Sequence, residues 1–261
     1  MAATPAHPRP GLVTADVELT VNGRRLPLRV AVPAGPVPPA ALLPLYRGLA
    51  DHLTDLAVRA AGAAGHAISC KKGCGACCRQ LVPVSPLEAR ELVKIIERMP
   101  EPRRSIVGER FAAVRRRLEA EAPHLLARLL RPQDCSRDEA VSLGHEYFRL
   151  GIACPFLEDE SCSIYAERPV DCRQYLVVSP AHHCSEDASP HVRALTPWGG
   201  PVSAGIPSPE PTPGGRAVQW VHLALAPDFV AQHPQEPPDR PGPEVVDEFF
   251  SRFGKPSAAA P

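Results

Sequence analysis

Aromatic residues are scarce in this chain, at 5% of the total, and neither sign of charge predominates, since 29 lysines and arginines balance 29 aspartates and glutamates. The scarcity argues against a surface on which nucleic-acid bases stack. The balance offers no electrostatic pull toward nucleic acid or an anionic membrane. No apolar run approaches the roughly 20 residues that a membrane helix needs. The opening MAATPAHPRPGLVTADVELT has neither a basic n-region nor an apolar h-region, so a secretory signal is not expected. Also missing are a G-x-S-x-G elbow, a Walker loop, an H-E-x-x-H pair and a G-x-G-x-x-G followed by a βαβ pattern. These lacks leave no nucleic-acid or membrane partner in view and no protein partner that the sequence identifies. They point to the cytoplasm, where thiols stay reduced.

Two residue types are abundant instead: 33 prolines and nine cysteines among 261 residues. The prolines imply long loops and unstructured ends. Residues 12–32 alternate apolar and polar side chains on both sides of Asn22-Gly23, which predicts a β-hairpin with strands at about 13–21 and 25–32. From Pro39 to about Ala64, Leu42, Leu45, Leu49, Leu53 and Leu56 recur at helical spacing. Ser85 as N-cap and Pro86 at the first helical position open another helix, with Leu87, Leu92, Ile95 and Ile96 on its buried face. Further helices are expected at about 102–120, 124–130 and 141–150. The arginine-rich run at 103–122 is interleaved with Glu109, Glu119 and Glu121 and reads as a solvated helix face. Proline is dense from Pro180 onward, leaving two islands, 217–226 and 244–253, as segments that pack on the core.

The cysteines carry the chemistry. SCKKGCGACCRQ, residues 69–80, holds Cys70, Cys74, Cys77 and Cys78. Their spacing would place all four on one helical face, as a small apolar stripe. Gly73 and Gly75 disfavour a helix there, and glycine beside cysteine lets backbone amides turn toward a thiolate-bound centre. Lys71, Lys72 and Arg79 would favour the thiolate form. A second group follows after a long insert: Cys154, Cys162, Cys172 and Cys184. Cys135 stands apart. Neighbouring side chains diverge in a helix or a strand, so Cys77 and Cys78 are expected to serve two centres, or one a centre and the other a redox or packing role. A nearly all-sulfur set suits zinc or an iron–sulfur cluster, of which the [4Fe–4S] type takes four thiolates. His182 and His183 flank Cys184 and are weaker candidates to replace a thiolate, and His145 is weaker still.

Two blocks, CKKGCGACCRQLVPVSPLEA and CPFLEDESCSIYAERPVDCRQY, resemble the YkgJ-type CxxCxxCC proteins, which are described as zinc- or iron-chelating. The family hallmark is a Cys-Gly-x-Cys-Cys run, then a C-S-I-Y-x-x-R-P-x-x-C-R block after a helical insert. Cys74 to Cys78 match the first and Cys162 to Arg173 the second. Cys154 and Cys184 stand where the family has a preceding and a trailing cysteine. Cys70 takes the leading position with one extra residue of spacing. The resemblance covers about 66–186 and implies a metal centre. A related cysteine block in the flagellin lysine N-methylase, for which an iron–sulfur cluster has been proposed, implies by analogy a peptide-lysine modification chemistry.

The expected architecture is mainly α: a small, irregular, cysteine-rich domain stapled by metal at 40–188. An extension with the hairpin precedes it at 1–39, and a proline-rich, partly disordered tail with two docking segments follows at 189–261. Cys70, Cys74, Cys77, Cys78, Cys154, Cys162, Cys172 and Cys184 form the ligand pool for an iron–sulfur cluster or zinc. The expected function is metal binding. The alternatives are an iron–sulfur-dependent enzyme related to the lysine N-methylase, and a thiol redox sensor or metal chaperone.

Overall fold

The strand pattern at the N-terminus becomes a long two-stranded ribbon in the computed structural model, which describes residues 11–21, 24–208 and 217–253. β1 (Leu12–Val21) pairs antiparallel with β2 (Arg24–Pro33), from Leu12 opposite Pro33 to Val21 opposite Arg24. The turn at Asn22-Gly23 lies outside the described residues. Alternation puts Val17, Leu19, Leu26, Leu28, Val30 and Val32 on one face, where they join a hydrophobic core. The opposite face carries polar pairs such as Asp16 with Arg29, 2.9 Å apart.

Eight α-helices make the rest of the described fold mainly α. α1 (Leu43–Ala63) buries Tyr46, Leu49, Ala50, Leu53, Ala57 and Ala61. This buried stripe is rotated from the expected leucine row: Leu45 and Leu56 sit at its margin, only partly buried. α2 (Pro86–Glu97) starts at a capping box, in which the Ser85 hydroxyl accepts from the Glu88 amide and Glu88 reaches back to the Ser85 amide. α3 (Arg103–Glu121) and α4 (Pro123–Leu129) follow. α5 (Arg137–Arg149) begins four residues earlier than expected, because Ser136 and Glu139 form a second capping box. α6 (Val170–Gln174), α7 (Ala226–Gln232) and α8 (Gly242–Arg252) complete the set.

Two-residue strand pairs tie distant segments together. β3 (Pro36–Val37) pairs with β8 (Arg240–Pro241), β4 (Pro83–Val84) with β7 (Val221–His222), and β5 (Leu157–Glu158) with β6 (Ser161–Cys162). Each of these six strands is too short to stand alone, so side-chain packing holds them.

Three apolar clusters supply that packing. The first joins the hairpin, α1, α8 and Val170 of α6, with Tyr46 stacked on Phe249 at 4.9 Å between ring centroids. The second joins α2, the first half of α3 and the 156–164 turn, and Cys154, Cys162 and Cys172 pack against it. The third joins the end of α3 with α4 and α5. The island at 217–226 enters the second and third clusters through Val218, Trp220, Val221, Leu223 and Leu225. The island at 244–253 enters the first through Val245, Val246, Phe249 and Phe253. The basic run lies on α3 with its arginines paired: Arg110 to Glu158, Arg115 to Glu119 and Asp228, Arg116 to Glu109, and Arg117 to Glu121.

Candidate metal centre

Residues 69–80 form neither helix nor strand. Three tight turns follow one another: the Cys74 amide donates to the Lys71 carbonyl, Cys78 to Gly75 and Gln80 to Cys77, at 3.1, 2.9 and 3.1 Å. Gly73 has a φ of 88°, in the left-handed region that glycine enters without strain. Gly75 is needed for a different reason. A Cβ there would lie 2.8 Å from Leu157 Cδ1 and 2.9 Å from the Glu160 carbonyl oxygen. The first cysteine block therefore lies directly against the β5–β6 turn of the second.

Further contacts join the blocks. The Cys154 amide donates to the Cys78 carbonyl at 2.7 Å, and the Ser69 amide donates to the Val177 carbonyl at 2.9 Å. Arg173 binds the second block into shape. Its guanidinium donates to the carbonyls of Arg168 and Ala166 and reaches Asp51 of α1 at 2.9 Å. Glu88 braces α6 from the other side: the same buried carboxylate that completes the α2 cap accepts from the Val170 amide at 2.8 Å. A Ser-Pro-Leu-Glu cap thus orients the helix that carries Cys172.

These contacts bring seven cysteines to one place. Cys70, Cys74, Cys77, Cys78, Cys154, Cys162 and Cys172 line a single cavity of about 120 Å³. Cys184 is buried just behind it, and the Tyr175 hydroxyl, which also accepts from the Gln80 amide group, donates to its sulfur. Cys135 lies elsewhere, near the carbonyls of Arg128 and Arg131. Cys77 and Cys78 both line the cavity, although neighbouring side chains are expected to diverge. That expectation holds for helices and strands, whereas here consecutive turns bend the backbone between them. Among the described residues no three thiols come within 4.8 Å of one another.

Electrostatically the cavity asks for a cation. Burial pushes the Cys154 thiol up to about 12, and raises Cys172 well above the ordinary thiol value. Cys77 is raised by its hydrogen bond to Cys78 and then by burial, while burial is the main cause for Cys70, Cys162 and Cys184. Cys77 is the common neighbour, since its charge raises Cys70, Cys154, Cys162, Cys172 and Cys184. Such thiols keep their protons until a metal replaces them. Backbone amides already point at the sulfurs: Val177 donates to Cys70 at 3.3 Å, Phe156 to Cys154 and Ile164 to Cys162. Amides aimed at sulfur favour the thiolate and tune a metal bound there. A soft, all-sulfur donor set with this support fits zinc or iron–sulfur chemistry.

One of the expected cations, Lys71, lines the thiol cavity, and Arg168 joins it. Arg79 is engaged by Glu160 at 2.6 Å. Arg168 lines the cavity and favours the charged forms of Cys70, Cys77 and Cys162. Its guanidinium lies over the Tyr165 ring, 3.7 Å from the centroid, which fixes its position. The Arg-Pro dipeptide of the second block was its sequence signal. The partnership of Glu88 with Val170 had none, because the two are 82 positions apart.

A second space adjoins the first. A cleft of about 780 Å³ shares Cys77, Cys172 and Tyr175 with the thiol cavity, and Asp171, Gln80 and Pro197 form part of its wall. Burial raises the Asp171 carboxyl to about 7. His145 lies outside both spaces, 3.2 Å from Asp187.

No helix among the described residues is long and apolar enough to cross a membrane. No curated protein and no solved structure matches the chain. One family model does, over residues 69–190, and its description reads "CxxCxxCC: Putative zinc- or iron-chelating domain". The match begins at the first cysteine turn and ends just beyond Cys184, so this segment of the chain is similar to the CxxCxxCC family.

Proposed function

We propose that the thiol cavity holds an iron–sulfur cluster, of the [4Fe–4S] type, drawn from the pool Cys70, Cys74, Cys77, Cys78, Cys154, Cys162, Cys172 and Cys184. The observation that carries this reading is a sulfur-lined cavity too large for one ion. Its volume of about 120 Å³ is roughly ten times the space that a single water requires, and a metal ion is of similar size. Sulfurs around one tetrahedral zinc, each about 2.3 Å from the ion, stand about 3.8 Å apart. Here Cys77 and Cys78 are hydrogen-bonded, but no third thiol among the described residues comes within 4.8 Å of both. A cluster binds each thiolate through a different iron, which suits that spread. The residues of this chain would bind the cluster, donate amides to its sulfurs and shield it with Tyr165, Phe156 and Ile164. Thiols that must stay reduced to bind a cluster favour the cytoplasm as its compartment.

The adjoining cleft favours the enzyme as the second reading, over a redox sensor or metal chaperone. A closed structural site has no use for a space of about 780 Å³ lined by two of its cysteines. A centre that works on a bound molecule does, and lysine modification is the class suggested by the related cysteine block. The test is iron and acid-labile sulfide content, with a visible spectrum, on protein purified without oxygen. About four iron and four sulfide per chain are expected. Colourless protein with one or two zinc ions would overturn the cluster and return the site to a structural or thiol-switch role.

A further inference from the structure

Behind the thiol cavity a single turn presents a second, different donor set. The short 3₁₀ turn Ala181–Ser185 buries Cys184 and leaves His182 exposed and His183 partly exposed. Ligating atoms of His182, His183 and Glu186 all lie within 4.8 Å of one another, the only such trio among the described residues. The rings of the two histidines are 4.1 Å apart between centroids. His183 Nδ1 is 3.2 Å from each carboxylate oxygen of Glu186.

That spacing has a simple geometric meaning. Two ligands about 2.0–2.1 Å from one ion, at angles from octahedral to tetrahedral, lie about 2.9–3.4 Å apart. The His183–Glu186 pair is therefore spaced as one edge of a coordination polyhedron. Ser189 supports it from outside by donating its hydroxyl to Glu186 Oε2 at 2.7 Å. Such outer partners fix the orientation of ligating carboxylates. His191 stands beside the group, its ring centroid 5.1 Å from that of His183.

Through Glu186 the trio also reaches open space. A cavity of about 280 Å³ is lined by Glu186, Asp187 and Ser189 on one side and by Gly144, His145 and Phe148 of α5 on the other. We propose that His182, His183 and Glu186 bind one divalent transition-metal ion of the zinc class, separate from the thiol cavity, with a coordination position left to solvent on this exposed turn. Two imidazoles and a carboxylate form a harder set than the thiols and suit zinc, cobalt or ferrous iron. Three protein ligands leave a position for water or an exogenous ligand, as in catalytic rather than structural zinc sites.

Cobalt(II) alone is the probe, titrated into the full-length protein after its native metal content has been measured. Cobalt bound by nitrogen and oxygen shows weak visible d–d bands without the intense sulfur-to-cobalt charge-transfer absorption of a thiolate site. One equivalent of the first kind is expected in the wild type. The double variant His182→Ala/His183→Ala should lose it, and Glu186→Gln should weaken it at least 10-fold with the fold unchanged by circular dichroism. Ser189→Ala should cost on the order of 10-fold, the typical effect of removing an outer partner. Cobalt uptake that is the same in the wild type and in Glu186→Gln would overturn the proposal, leaving His183 and Glu186 as an ion pair. A titration showing only sulfur-to-cobalt absorption would overturn it too, since the ion would then belong to the cysteines.

Discussion

The first apolar core and the thiol cavity meet on one short helix, which gives Val170 to the core and Cys172 to the cavity, yet they are held together by opposite means. Around Tyr46 and Phe249, long elements bury apolar side chains, and each contact is favourable with nothing added. Around Cys77, tight turns bury thiols that raise one another and keep their protons. A core of the first kind stabilises itself, whereas the second kind is completed by what it binds. Arg173, Glu88 and the Cys154–Cys78 backbone bond position the sulfurs in advance, so binding need not first order them.

The sharpest way to break this contrast is to remove a sulfur. Cys172→Ser is expected to abolish the metal centre, reducing bound iron by more than 10-fold in elemental analysis, while far-ultraviolet circular dichroism keeps most of the helix signal. A protein that loses its helices together with its metal would show that the apolar cores do not stand by themselves. Phe249→Ala tests the other side. Truncating this ring, buried against Tyr46 and Phe253, should cost about 3–5 kcal/mol in denaturant unfolding and leave metal content per folded chain unchanged.

His222 offers a test by pH. It is fully buried against Tyr147, and burial lowers its pKa from 6.5 to about 4. The unfolded chain takes up a proton between those values and the folded chain does not, so acid favours unfolding. The contribution is fully present above about pH 6.5 and falls by about 3 kcal/mol as the pH drops toward 4. Unfolding curves of His222→Phe over this range should lack that portion of the acid sensitivity, and curves parallel to wild type would refute the assignment.

Glu88 links the two regions. Glu88→Ala removes a capping partner and leaves the Val170 amide unpaired, at a cost of about 2 kcal/mol. It should also broaden the spectrum of the bound centre by loosening α6. The smallest effect is expected at Cys135→Ser. This thiol is far from the cavity, so stability should change by less than about 0.5 kcal/mol and metal content not at all.

Much of this was readable from local patterns. Alternation around Asn22-Gly23, the Ser85-Pro86 cap and the leucine spacing of α1 are short-range signals, because strands, caps and helices are set by neighbours within a few residues. The cysteine pool was equally visible, as was the family it resembles. Some short-range signals were misread. The Ser136–Glu139 cap moved the start of α5 to Arg137, and the buried stripe of α1 turned toward Tyr46 and Ala50, where α6 and α8 pack.

What the sequence by itself determined is a mainly α chain with a hairpin, two cysteine blocks and the soft chemistry of their sulfurs. Only the tertiary structure decided that seven of those cysteines line one cavity, Cys77 and Cys78 among them, that Arg168 joins Lys71 there while Arg79 pairs with Glu160, and that a cleft opens beside it. The reason is range. Composition and spacing record what a residue can bind and how its neighbours turn, but which side chains meet across 82 positions, as Glu88 and Val170 do, depends on how the apolar faces of separate helices pack.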